Sequence, residues 1–154
     1  LEKVVLTDKR TRMTDEEVIA RCPWATTGRT NDRTPNIITS LELDPAEMEK
    51  RNIHLQKKYA EIEENEVRFE ELHCEDAEYL IVAFGSCARI AQKAMEIARE
   101  EGIKVGLLRP ITLWPFPSKA IAARAAQLKG ILTVELNAGQ MVEDVPLAVD
   151  CKVP

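Results

Sequence analysis

Three short segments of the chain hold the residues whose types and spacing could do chemistry. The first is Phe84-Gly85-Ser86-Cys87-Ala88-Arg89. A glycine turn leading into a helix presents free backbone amides beside Ser86, with Arg89 one turn on, and such an end accepts anions. The plainer reading has Gly85 making the turn and Ser86 capping the helix. With a single glycine the segment is neither the G-x-G-x-x-G fingerprint nor a P-loop. Ala88 breaks a G-x-S-x-G elbow, and His54 and His73 both precede Ser86, so a hydrolase triad is not expected. Cys87 falls on the apolar face of the coming helix and reads as core.

The second segment is Arg109-Pro110-Ile111-Thr112-Leu113-Trp114-Pro115-Phe116-Pro117-Ser118. Prolines at 110, 115 and 117 hold the backbone extended and remove amide donors. Two aromatic and two aliphatic side chains then project from a stiff loop, and that much apolar surface is expected to be covered, by this domain or by another domain or subunit. Thr112, Trp114 and Phe116 are the expected contact residues. Arg109 either steers a carboxylate or phosphate, or pairs with Glu135. The third segment, Glu135-Leu136-Asn137-Ala138-Gly139-Gln140-Met141, supplies amides and the Gln140 carboxamide as a polar lip beside the first. Gly85, Ser86, Arg89, Arg109 and Gln140 together are the candidate anion or substrate-approach surface. No residue is assigned a catalytic or metal-binding role.

The elements that must position these loops follow from periodicity. Tyr79–Phe84 is a continuous apolar run, the pattern of a strand buried on both faces. A helix follows with Cys87, Ile90, Ala91, Ala94, Ile97 and Ala98 on its apolar face, closed by Gly102. Residues 104–110 form the next strand. Ser118 caps a helix with Ile121, Ala125 and Leu128 inward, stopped by Gly130. Ile131–Glu135 is a third buried strand, and a last helix starts near Asp144 or kinks at Pro146. Val67–Leu72 alternates apolar and charged, as a half-exposed edge strand does. Strand and helix alternating at this spacing make a doubly wound α/β sheet.

Upstream, Leu1–Leu6 is a candidate short strand and Thr14-Asp15-Glu16-Glu17 a capping box. Pro23 ends that helix. Residues 22–40 read as loop. Asp44-Pro45-Ala46-Glu47 opens a long helix to about Glu64, with Met48, Leu55, Tyr59 and Ile62 along one face. The expected division is a linker over 1–43, an amphipathic helix over 44–66 and an α/β domain over 67–154.

Composition narrows the function classes. At 154 residues, 45% hydrophobic and 31% charged, the chain is an ordinary globular one with a net charge of -5. That charge offers no basic field for nucleic acid or an anionic membrane surface. Its longest apolar stretch, Leu80–Phe84 with Tyr79 ahead of it, is far short of the ~20 residues that span a bilayer. Cys22, Cys74, Cys87 and Cys151 are scattered, with no C-x-x-C pair, so neither an iron–sulfur cluster nor structural zinc is expected within the chain. Unpaired thiols without an apolar leader point to a cytoplasmic setting.

Taken together, V-A-F-G-S-C-A-R (82–89), G-I-K-V-G-L-L-R-P-I-T-L-W-P-F-P (102–117) and V-E-L-N-A-G-Q-M-V-E-D-V (134–145) resemble the transketolase-C-like domain of 2-oxoacid:ferredoxin oxidoreductases. C-P-W-A-T-T-G-R (22–29) and N-I-I-T-S-L-E-L-D (36–44) resemble the linker leading into it. Within that family the likeness points to the 2-oxoisovalerate enzymes, with the 2-oxoglutarate and pyruvate enzymes near.

The resemblance implies a three-layer α/β/α fold, with a mostly parallel five-stranded sheet and an antiparallel edge strand. The chain opens on Leu1 and stops where a fifth strand is expected, so a piece truncated at its carboxy end is anticipated. The resemblance also implies thiamine-diphosphate chemistry in which a 2-oxoacid and coenzyme A become an acyl-CoA and carbon dioxide. Two electrons leave through iron–sulfur clusters to ferredoxin. The thiamine diphosphate, magnesium and clusters are expected on other domains and subunits, with none bound here. The implied partners are the diphosphate-binding and ferredoxin-like subunits, a symmetry mate, and ferredoxin through the complex. Two other readings stay open. One is a transketolase or lipoamide-linked dehydrogenase carboxy-terminal domain; the other is a stand-alone anion or small-molecule binder.

Overall fold

The computed structural model describes residues 12–25, 34 and 37–154. The Leu1–Leu6 strand expectation and much of the 22–40 loop lie outside these residues. Glu49–Pro154 forms one compact unit, and the described residues before it belong to another. In the earlier unit, α1 spans Asp15–Arg21, and its capping box is complete. The Glu17 amide donates to Thr14 Oγ1 at 3.2 Å, and the Thr14 amide donates to Glu17 Oε2 at 2.8 Å. The long helix α2 runs Pro45–Asn65 and buries no residue. Asp44 caps it by accepting from the Ala46 and Glu47 amides.

The α/β body contains β1 (Phe69–Leu72), β2 (Tyr79–Ala83), α3 (Gly85–Glu100), β3 (Val105–Pro110), α4 (Ser118–Arg124), β4 (Gly130–Val134) and α5 (Met141–Ala148). The sheet order is β1-β3-β2-β4. β2 pairs in parallel with β3 and β4, and β1 runs antiparallel along β3. Four of the five expected strands are therefore present among the described residues, with the antiparallel one at the edge. The Ile131 amide, on β4's unpaired side, donates to the Pro154 carbonyl at 2.7 Å.

Strand alternation divides the core. Leu80 and Val82 join Leu108, Ile121, Met141, Val145 and Val149 on the α4–α5 face. Ile81 and Ala83 join Leu107, Val105 and the α3 residues Cys87, Ala88, Ala91 and Met95 on the other. A central strand with both faces buried has no polar side to offer, which is why its sequence is unbroken apolar. These are the three layers.

Several boundaries depart from the sequence reading, each for a local reason. Helix α3 starts at Gly85, whose φ of +55° compresses the strand-to-helix turn, so the cap position falls on Phe84. Ser86 is thus an exposed first-turn residue, not the cap. Ile90, Ala94 and Ile97 are exposed, not inward, because the small residues Cys87, Ala88 and Ala91 let the helix lie on the sheet along an adjacent stripe. Ser118 does not cap α4; Pro117 holds that position, and Ser118 donates its amide to the Phe116 carbonyl. Helix α4 ends at Arg124 and continues as a tight turn over Ala125–Gln127, so Gly130 opens β4 and does not end a helix. Gly102, with φ of +85°, closes α3 as expected.

The β1–β2 connection is held by pairs of distant origin. Arg99, near the end of α3, grips both oxygens of Asp76 at 2.7 and 2.8 Å and donates to the Val105 carbonyl at 2.8 Å. Arg124 does the same to Glu71 at 3.0 and 2.8 Å. Lys129 and Lys104 both pair with Glu78. The Cys74 thiol donates to the Leu107 carbonyl at 3.4 Å. Burial first, and then the Glu71 charge, push that thiol up to about 11, so it stays protonated and structural.

Candidate interaction site at the carboxyl ends of the strands

The three loops singled out by residue type converge where β2, β3 and β4 end. The middle loop is tied down at its start. Thr112 accepts the Arg68 amide at 3.0 Å through its hydroxyl, which in turn donates to the Pro115 carbonyl at 2.9 Å. The Ile111 and Thr112 amides both donate to the Arg68 carbonyl. Thr112 thereby extends the β1–β3 pairing past the last ladder residue, and its hydroxyl is spent within the loop. The Trp114–Pro115 peptide is cis.

The apolar side chains of this loop then divide. Phe116 turns inward and packs against the core cluster with Phe84. Trp114 stays 55% exposed, and Ile111 and Leu113 are 49% and 48% exposed. Trp114 meets Tyr59 of α2 edge to face, with ring centroids 5.6 Å apart. The outcome is a ridge of three half-covered apolar residues, with Trp114 braced by Tyr59 of α2.

Behind the ridge lies a cavity of about 150 Å³ lined by Phe84, Leu113, Phe116, Glu135, Gln140, Met141 and Asp144. Its polar wall is organised by Glu135. That carboxylate accepts the Gln140 and Val142 amides through Oε1 at 3.1 and 3.0 Å, and the Met141 amide through Oε2 at 3.1 Å. These are first-turn donors that a helix leaves without partners. A side chain from the end of β4 thus caps α5 and fixes its start at Met141; of the two expectations, a start near Asp144 does not hold, and Pro146 lies inside the helix. Asn137 Oδ1 accepts the Gly139 amide at 2.8 Å, and Gly139 turns with φ of +106°.

Arg109 does not reach Glu135. Its guanidinium donates to Glu70 Oε2 at 2.8 Å, across the antiparallel register that sets Glu70 opposite Arg109. Cross-strand neighbours on one face lie close enough for such a pair, whereas Glu135 is consumed by amides. Of the candidate anion residues, Gly85, Ser86 and Arg89 are exposed around the start of α3, and Gln140 lines the cavity. Arg109 stands apart in its strand pair. The role of Glu135 as a remote cap was missed; the available signal was an acid six residues ahead of a helix start that has no Ser, Thr, Asp or Asn immediately before it.

Partial burial would raise the Glu135 carboxyl, but the Val142, Gln140 and Met141 amides outweigh that and hold it below the ordinary 4.5. Asp76 and Glu78 are also held low, by Arg99 and Lys129 respectively. A carboxyl with a lowered folded pKa contributes stability above its unfolded value and loses it as pH falls through the folded one. Glu135→Gln is therefore expected to be less stable than the parent at pH 7. The gap should narrow as pH falls below about 4.5, as urea midpoints at pH 7 and pH 3.5 would register. A gap independent of pH would contradict the capping role.

Comparison with known proteins agrees with this architecture. Residues 77–154 match the pyruvate:ferredoxin oxidoreductase core domain II. The ketoisovalerate oxidoreductase subunit VorB of Methanothermobacter marburgensis is 49% identical over 129 residues, covering 84% of this chain and 36% of that protein. Its counterpart in Methanothermobacter thermautotrophicus is 48% identical over 140 residues, covering 89% of this chain and 40% of that protein. The chain therefore spans well under half the length of these relatives. A 2-oxoglutarate:ferredoxin oxidoreductase from Magnetococcus marinus shares the fold, with a TM-score of 0.61 at 23% identity, over 80% of this chain and 23% of that one. The chain belongs to the pyruvate:ferredoxin oxidoreductase core domain II family.

Proposed function

We propose that this chain is an assembly domain, without catalytic residues of its own, of a thiamine-diphosphate-dependent 2-oxoacid:ferredoxin oxidoreductase subunit. The observation that carries the reading is the ridge of Ile111, Leu113 and Trp114. It is apolar, proline-stiffened and half uncovered at the carboxyl end of the sheet, where open α/β folds place their binding sites. Residues 1–43 are read as linker, 44–66 as a long amphipathic helix and 67–154 as the domain that docks.

The residues present do not suit the cofactors of the proposed reaction. Among the described residues no group of three His, Cys, Asp or Glu side chains could hold a metal ion. All four cysteines are free, and they are scattered along the chain with no two in one loop. Magnesium with its diphosphate, and the iron–sulfur clusters, are accordingly assigned to other domains or polypeptides of the enzyme. What the domain contributes is position: a fixed surface against which the cofactor-bearing chains seat. Gly85, Ser86 and Arg89 remain candidates for an anion-facing surface. Among the described residues no helix is long and apolar enough to cross a membrane.

The proposed substrate is 2-oxoisovalerate with coenzyme A, the electrons passing to ferredoxin; the likeness to two ketoisovalerate oxidoreductase subunits supports this choice. The full-length subunit, co-purified with its partner chains, is expected to reduce a low-potential acceptor in a coenzyme A-dependent way. Its kcat/KM should be at least tenfold higher for 2-oxoisovalerate than for 2-oxoglutarate or pyruvate, a difference of about 1.4 kcal/mol in barrier. Preference for another 2-oxoacid would overturn the substrate, and absence of any such activity would overturn the enzyme class.

A further inference from the structure

The cavity behind the ridge combines two features that constrain what can cover it. Phe84, Leu113, Phe116 and Met141 give it apolar walls, while Gln140, Glu135 and Asp144 give it an acidic side. The Glu135 charge is shared among three amides. The Asp144 carboxylate, exposed in the first turn of α5, has no hydrogen-bond or ion-pair partner among the described residues. No Lys or Arg lines the cavity, and the guanidinium groups of Arg109 and Arg124 are committed elsewhere, to Glu70 and Glu71.

Leu113 is common to ridge and cavity, so a partner seated on the ridge also closes the cavity mouth. Closing it with an apolar group would take the Asp144 charge out of water unpaired, an arrangement protein interfaces avoid. An anion would meet two carboxylates. A long aliphatic stem ending in a cation satisfies both surfaces: methylenes against the aromatic walls, and N–H donors to Asp144, the Gln140 carbonyl and the remaining capacity of Glu135.

We propose that this cavity receives a lysine or arginine side chain from the partner polypeptide that covers the ridge. This rests on the docking role proposed above. The lone charge of Asp144 then acts as a register pin: it adds little to the isolated chain and fixes where the partner sits.

The test uses the full-length subunit and its partner chains, with association measured as a function of salt for the parent, Asp144→Asn, Asp144→Glu and Trp114→Ala. Asp144 is exposed, so its replacement leaves folding intact. Asp144→Asn is expected to weaken association about tenfold and to flatten its salt dependence, and Asp144→Glu to recover most of both. Unchanged or tighter association of Asp144→Asn, beside clear weakening by Trp114→Ala, removes the cationic occupant and leaves the docking ridge standing. Weakening by Asp144→Asn with an unaltered salt dependence also removes it, because no charge pair has been lost. If neither substitution affects association, the ridge and its occupant fall together.

Discussion

Trp114→Ala is expected to raise the dissociation constant between this subunit and its partner chains by roughly 30-fold or more, about 2 kcal/mol at the level of a buried aromatic anchor. The side chain offers a large apolar surface that is 55% uncovered, on a loop whose three prolines leave little entropy to lose on docking. Within the domain it makes one edge-to-face contact with Tyr59, which is worth roughly 0.5–1.5 kcal/mol. The substitution should therefore shift the domain's own stability less than it shifts association. Trp114→Phe, which keeps a ring in place, should recover much of the loss. Titration calorimetry or sedimentation of the purified chains would measure both variants, and association equal to the parent's would remove Trp114 as an anchor.

Leu108→Ala is expected to act in the opposite sense, on the fold and not on the surface. Leu108 is 0% exposed on β3, the strand between β1 and β2, and packs among Leu80, Val82 and Ile121. Neighbouring strands are hydrogen-bonded on both sides and cannot close over the missing atoms. A loss of about 3 kcal/mol in unfolding free energy follows, transfer and cavity terms together. It should appear as a lowered urea midpoint with an unchanged slope. A shift under 1 kcal/mol would mean that the core relaxes far more freely than its packing implies.

The parts of this molecule that were legible in the sequence are those encoded locally. The run Tyr79–Phe84 announced a strand buried on both faces because no residue in it tolerates water. The alternation before Leu72 announced the edge. Thr14 with Glu17, and Asp44 ahead of Pro45, announced helix starts because the cap and the amide it serves lie within three residues of each other. The features that escaped depend on partners brought together by the fold. Arg109 was offered Glu135 or a ligand and took Glu70, 39 positions earlier, through strand register. Glu135 caps a helix that it neither belongs to nor immediately precedes. Ile90 and Ile97 were placed inward because the stripe on α3 is broad; only the packed helix shows which edge of it the sheet covers. In the loop 109–118, stiffness and apolarity were evident, but the division of labour between Phe116 inside and Trp114 outside was not.

The central claim is that partner chains cover the ridge of Ile111, Leu113 and Trp114. Hydroxyl-radical footprinting of the full-length subunit tests it most directly, comparing the dissociated chain with the assembled enzyme. Trp114 and Leu113 are expected to be labelled several-fold less after assembly, while exposed residues remote from the ridge keep their rates. Equal labelling of Trp114 in both states would contradict it.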